Sequence, residues 1–204
     1  MVDVEEGATI VKTARAAIEV YLSGKDQTPP SCPSPHLQQP RGAFVTLLDE
    51  SRRNTLRGCI GSPFPDKPLL LQVAESAVEA ATMDPRFNPV SLEGLRSRII
   101  IEVTVLTPAE EINVRKPLES RDKIVVGRDG LMVDGRGRKG LLLPQVAVDK
   151  GFDSKEFLSQ CYTKAGLLPD AWLTGRVRVS RFQGQIFSEN KPGGTVSERS
   201  LARD

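Results

Sequence analysis

Leu56-Arg57-Gly58-Cys59-Ile60-Gly61 carries the least ordinary chemistry in the chain, and the reading of its surroundings starts here. Two glycines bracket a cysteine, and an arginine stands just before them. In extended backbone, side chains alternate between two faces. Leu56, Gly58 and Ile60 then share one face, and Arg57, Cys59 and Gly61 share the other. A guanidinium beside a thiol favours the thiolate, the form that attacks or ligates. Glycine within a strand marks a close approach, either of a guest or of another part of the chain. Free cysteine is also among the most buried residue types, so packing competes with reactivity as the reason for Cys59.

Upstream, Ala43 to Leu48 has strand composition. The polar run Asp49 to Asn54 reads as the turn of a hairpin whose second arm is the glycine–cysteine stretch. Downstream, Asp66 is a candidate helix cap, with Pro68 in the first turn. Leu70, Val73, Ala74, Ala77, Val78 and Ala81 form that helix's apolar face. Asp84-Pro85-Arg86-Phe87-Asn88-Pro89 ends it, because Pro85 biases Asp84 away from helical backbone. Arg98 to Leu106 follows as a strand, with β-branched Ile99, Ile101, Val103 and Val105 on one face. Glu102 sits between Ile100 and Leu106 on the other. A buried carboxylate needs a partner, so Glu102 either meets solvent or pairs with a cation such as Arg57 or Arg86.

Before this core, residues 9–22 read as an amphipathic helix, with Ile10, Val11, Ala14, Ala17, Ile18, Tyr21 and Leu22 in the apolar stripe. The stretch from Thr28 through Pro29, Pro30, Cys32, Pro33 and Pro35 to His36 is an irregular loop. Cys32 and His36 stand four apart there, a spacing that a proline loop holds poorly as a metal or catalytic pair. The order of elements then recurs. Leu131 to Asp134 and Lys139 to Leu143 flank Gly135-Arg136-Gly137-Arg138, a second hairpin. Pro144 to Val148 is a helical turn. Asp153 and Glu156 make a capping box for a helix whose stripe is Phe157, Leu158, Cys161 and Ala165, and Gly166 ends it. Cys161 is assigned to the core. Gly175 to Phe182 and Gln185 to Phe187 are strands. Residues 191–204 read as a mobile polar tail. The expected architecture is α+β, with two hairpin–helix–strand units at about 43–106 and 131–187 and mainly antiparallel sheets.

The 204 residues, 39% apolar and 26% charged, are those of an ordinary globular chain, and a net charge of +2 implies no strong field. With 5% aromatic residues, nucleic-acid binding by phosphate contact and stacking is not expected, despite local clusters at Arg52, Arg53 and Arg57 and at Arg136, Arg138 and Lys139. No apolar run is long enough for a membrane span, and the acidic N-terminus is no signal peptide. Three cysteines give no paired framework, which fits a reducing cytoplasm. One histidine, without C-x-x-C or H-x-x-x-H, makes no metal site.

The chain resembles the AMME chromosomal-region candidate protein family (AMMECR family) over about residues 8–189. Leu56 to Gly61 is that family's hallmark. Phe44 to Leu47, Asp84 to Phe87, Glu102 to Leu106, Gly140 to Val146, Cys161 to Leu167 and Trp172 support it. The resemblance implies an α+β fold of two unequal parts with a cleft between them. It also implies a neighbourhood of Memo-type and radical S-adenosylmethionine proteins, hence a role in modifying some small molecule or protein. It brings no established activity and leaves the cofactor unknown.

Two functional readings stand at this stage. In the first, the chain is an enzyme or enzyme component. Cys59 is its nucleophile, Arg57 activates the thiol, and Arg86 holds an anionic group. Glu102 orients an arginine or moves a proton. In the second, the chain is a non-catalytic binding or regulatory module for a peptide, metabolite or partner protein. Gly58 and Gly61 then admit the guest, and Asp84 lines the site with the arginines.

Overall fold

The computed structural model describes residues 1–25, 34–64, 66–135 and 137–199. Cys32, Pro29, Pro30, Pro33, Arg136 and residues 200–204 lie outside the described residues. The fold is α+β, and the chain divides into two compact units.

The first unit comprises Met1–Leu106 and the C-terminal stretch from Gln185. It contains α1 (Val4–Leu22), β1 (Ala43–Asp49), β2 (Thr55–Ser62), α2 (Leu69–Thr82), α3 (Leu92–Arg98) and β3 (Ile99–Leu106). The later strands β8 (Gly184–Glu189) and β9 (Val196–Arg199) complete a five-stranded sheet in the order β2-β1-β3-β8-β9. β1 pairs antiparallel with both β2 and β3, with Val45 opposite Ile60 and Val103. On one sheet face, Val45, Leu47, Ile101 and Val103 bury against Ile10, Ala14 and Ile18 of α1 and Val73 and Ala77 of α2. The alternating β-branched residues of β3 supply this core because stiff side chains pack well on a pleated surface.

Three expectations are corrected in this unit. The first helix begins at Val4, not Thr9, capped by an Asp3–Glu6 box. Gly7 lowers the propensity of that first turn, but a side chain there is excluded. A Cβ on Gly7 would lie 2.1 Å from the Phe187 ring. Asp66 does not cap α2. Pro68 occupies the N-cap, no side chain caps the helix, and the Leu69 N–H donates instead to the Gln39 carbonyl at 3.2 Å. Residues 196–199 of the expected tail form β9, paired antiparallel with β8 from Ile186↔Arg199 to Glu189↔Val196.

A buried ion pair ties the unit together. Arg15 on α1 donates to Glu189 on β8 through Nε and Nη2, at 2.6 and 2.5 Å. It also donates to the Leu95 and Ile99 carbonyls, and Glu189 accepts from the Ile101 N–H at 2.9 Å. Each charge is met by several partners, as a buried charge requires.

The second unit spans Thr107–Gly184. It contains β4 (Glu110–Glu111), β5 (Gly130–Gly135), β6 (Arg138–Leu142), α4 (Pro144–Lys150), α5 (Ser154–Lys164) and β7 (Arg178–Phe182). The sheet order is β4-β7-β5-β6, and β5 pairs antiparallel with both neighbours. The Asp153–Glu156 box caps α5, and Gly166 leaves it at φ 70°. Phe157, Leu158, Cys161 and Tyr162 bury against Leu131 and Val133.

Both units place a hairpin, then a helix, then a strand beside the hairpin's first arm. Each also carries a glycine on the second arm where the helix crosses. A Cβ on Gly58 would lie 2.2 Å from the Ala80 carbonyl oxygen of α2, and one on Gly140 would lie 2.7 Å from the Cys161 carbonyl oxygen of α5. Gly58→Ala therefore drives helix and strand apart, and the expected loss is about 1–3 kcal/mol of stability, read as a lower urea midpoint. An unchanged midpoint contradicts this close crossing.

Candidate functional site

The site begins with the backbone of β2, which is an edge strand. An edge leaves N–H and C=O groups pointing away from the sheet. At Cys59 these groups are met by side chains from the loop after α2. The Cys59 N–H donates to Asp84 Oδ2 at 2.9 Å, and the Cys59 carbonyl accepts from Arg86 Nη2 at 3.3 Å. Arg86 holds Asp84 in turn through Nε at 2.9 Å and Nη2 at 2.7 Å, and the Arg86 N–H donates to Asp84 Oδ1 at 3.1 Å. Pro85 puts the loop into the non-helical backbone that lets residues 84 and 86 grip the strand together.

Asp84 is buried while Arg86 is more than half exposed, with side chains 2% and 54% accessible. The Arg86 hydrogen bond holds the Asp84 carboxyl well below the usual carboxylate range, with the Cys59 and Arg86 N–H donors adding to it and burial opposing. Asp84 in return raises the Arg86 guanidinium, and the nearby Cys59 contributes to that shift.

With its backbone directed outward, Cys59 projects its side chain from the sheet face opposite α2. It is half-buried. Thr46, its cross-strand neighbour on β1, donates from Oγ1 to Cys59 Sγ at 3.4 Å. Thr46 also stands opposite Glu102 of β3. Cys59, Thr46 and Glu102 thus form a polar row across three strands. Burial raises the Glu102 pKa, and the Arg199 charge opposes that rise. The expected partners for Glu102, Arg57 or Arg86, are replaced by Arg199 of β9, whose Nη1 lies 2.6 Å from Oε2. Sequence reasoning missed this pair because it assigned Arg199 to a tail. Thr46 carried no signal until the register of β1 against β2 was known.

The two glycines pack against protein. Gly58 faces α2, and a Cβ on Gly61 would lie 2.2 Å from the Ala43 carbonyl oxygen and 2.7 Å from the Phe44 ring. Arg57 occupies a bulge: Leu47 pairs with Gly58 and Leu48 with Leu56, leaving Arg57 as the extra residue. Its Nη2 donates to the Asn88 carbonyl at 2.6 Å, and its guanidinium lies 5.7 Å from the Phe87 ring centroid. Arg86 lies over the same ring at 5.4 Å.

His36 is engaged elsewhere. Its Nδ1 lies 3.0 Å from Glu6 Oε2 and its Nε2 2.6 Å from Arg41 Nη2. A guanidinium only donates, so Nε2 accepts and Nδ1 donates to Glu6. Cys161 is fully buried, and burial pushes its thiol up to about 12. Among the described residues, no group of three or more His, Cys, Asp or Glu is placed to hold a metal ion.

A family model described as AMMECR1 matches residues 11–187, nearly the whole chain. The chain belongs to the AMMECR1 family. Relatives match over nearly the full length of both chains. A protein of Thermofilum pendens is 48% identical over 97% of this chain and 96% of its own length. Protein MJ0810 of Methanocaldococcus jannaschii is 47% identical over 98% of each chain. The crystal structure of uncharacterized protein PH0010 from Pyrococcus horikoshii superposes with a TM-score of 0.82 at 44% identity, covering 98% of each chain. In this AMMECR1-family chain the Leu56–Gly61 stretch is part of an edge strand, with the Asp84–Phe87 loop clipped to its backbone.

The clip has a pH signature. Asp84 has a folded pKa below its unfolded value of about 3.9. Its contribution is therefore present above about pH 4 and lost as pH falls. Between pH 6 and pH 3 the native protein is expected to lose more stability than Asp84→Asn, which lacks the titrating group. Equal pH slopes in urea titrations of the two proteins contradict this.

Proposed function

We propose that this AMMECR1-family chain is an enzyme or enzyme component that uses the Cys59 thiol in modifying a small molecule or protein. The observation that carries the proposal is the placement of the sulfur. It is half-buried rather than sealed, and it rises from backbone pinned on the edge side by Asp84 and Arg86. A thiol held in one place loses little freedom when a substrate meets it. The Thr46 hydroxyl donates to the sulfur and supports negative charge developing there. The Memo-type and radical S-adenosylmethionine proteins implied by the family resemblance are the partners this reading favours. Among the described residues no helix is long and apolar enough to cross a membrane.

One observation favours a second reading, a binding or regulatory module without chemistry of its own. Both ring nitrogens of His36, the chain's one histidine, are engaged by Glu6 and Arg41, so no imidazole serves Cys59 as a base. The proton would then leave Cys59 to solvent. Cys59→Ser separates the readings. Loss of turnover with ligand binding retained supports the enzyme, and unchanged function supports the module.

Iodoacetamide provides the first test. In the folded protein at pH 8, peptide mapping is expected to find Cys59 carbamidomethylated at least tenfold faster than Cys161, whose thiol is buried and raised to about 12. Comparable slow labelling of both residues removes Cys59 as a working group.

A further inference from the structure

We infer that Arg57 is the recognition group for an anionic substituent, a carboxylate or a phosphate, on the ligand that meets Cys59. The ligand's identity as a thiol partner rests on the reading above, whereas the anion site stands on its own geometry.

The arginines of the first unit divide by what neutralises them. Arg15 pairs with Glu189, Arg86 with Asp84, Arg96 with Glu19 and Arg199 with Glu102. Arg57 is held just as firmly, but by neutral groups. Its Nη2 donates to the Asn88 carbonyl at 2.6 Å and reaches toward the Pro89 carbonyl at 3.5 Å. Its guanidinium carbon sits 5.7 Å from the Phe87 ring centroid. Among the described residues no carboxylate lies within ion-pair distance of it. These contacts fix the side chain and leave its charge uncompensated. Nε and Nη1 carry none of these bonds and remain as donors, one on each side of the group, so an anion can be met by a charge-assisted hydrogen bond from either. A cation ordered in advance by neutral groups binds an anion without paying again for that order.

The backbone explains why the residue is aimed this way. The bulge between Leu47 and Leu48 in the β1–β2 register leaves Arg57 as the extra residue of β2. Bulges redirect a side chain and recur beside functional sites. The loop after α2 runs alongside the strand in the opposite sense. Asp84 and Arg86 meet Cys59, and Asn88 meets Arg57. Arg57 and Cys59 are two residues apart on this strand, about 7 Å of backbone rise, so the two groups stand near enough for one ligand to address both. Arg86 does not fill this role, because both of its bonded nitrogens are committed to Asp84 and the Cys59 carbonyl.

Charged thiol reagents of one chemistry test the inference. Cys59 is labelled with neutral methyl methanethiosulfonate and with anionic 2-sulfonatoethyl methanethiosulfonate, in the native protein, in Arg57→Met and in Arg57→Lys. The native ratio of anionic to neutral rate is expected to fall at least fivefold in Arg57→Met and to recover in part in Arg57→Lys. Inorganic phosphate or acetate slows the anionic reagent in the native protein only, and whichever does so identifies the substituent. A ratio within twofold across the three proteins overturns the inference. Should the neutral reagent fail to label Cys59, the thiol reading falls. The anion site is then decided on the native protein by phenylglyoxal. Protection of Arg57 by phosphate or acetate supports it, and protection by neither overturns it.

Discussion

An edge strand must do something with the backbone groups that face away from its sheet, and at Cys59 a carboxylate and a guanidinium take the place of a neighbouring strand. Asp84 accepts the N–H, Arg86 donates to the carbonyl, and the two hold each other. This arrangement fixes more than one residue. It anchors the loop after α2 along β2, which brings Phe87 and Asn88 to Arg57. It also closes the edge at Cys59 to chance pairing with another chain, the usual hazard of such a strand. Because the backbone of Cys59 points to the edge, its side chain lies on the sheet face shared with Thr46. The presentation of the thiol follows from how the edge is closed.

The two units show what is scaffold and what is site. Each crosses a helix over the second hairpin arm at a glycine, Gly58 in one and Gly140 in the other. The row on the opposite face differs. In the first unit it reads Cys59, Thr46, Glu102 across three strands. In the second it reads Leu141, Met132, Ser180. The same packing solution is used twice, and a polar row with a thiol at its end stands on one copy. The glycines of the hallmark are explained by packing: a helix carbonyl beside Gly58, and β1 backbone with the Phe44 ring beside Gly61.

Strands and helices with a strong repeat were legible in the residues themselves. The β-branched alternation of Ile99 to Val105, the alanine face of α2 and the Asp153–Glu156 box all specify local structure that tertiary packing then uses. What escaped was set by contacts distant in sequence. Gly7 belongs in a helix because Phe187 fills its space, and nothing near residue 7 says so. Arg199 reads as part of a polar tail until Glu102, 97 residues away, is placed beside it. Cys59 and its two arginines were visible as unusual neighbours. Their partners were not, because Asp84, Asn88 and Thr46 reach them through loop path and strand register. The carbonyls that hold Arg57 were likewise out of view in the sequence.

The closure of the β2 edge is tested most directly by hydrogen exchange at a single amide. On an open edge the Cys59 N–H would face solvent and exchange rapidly. With Asp84 accepting from it at 2.9 Å, the native protein is expected to protect this amide strongly, and Asp84→Ala to lose most of that protection while Val45 and Val103 in the sheet interior keep theirs. Rapid exchange of the Cys59 amide in the native protein, or protection unchanged by Asp84→Ala, would contradict the account.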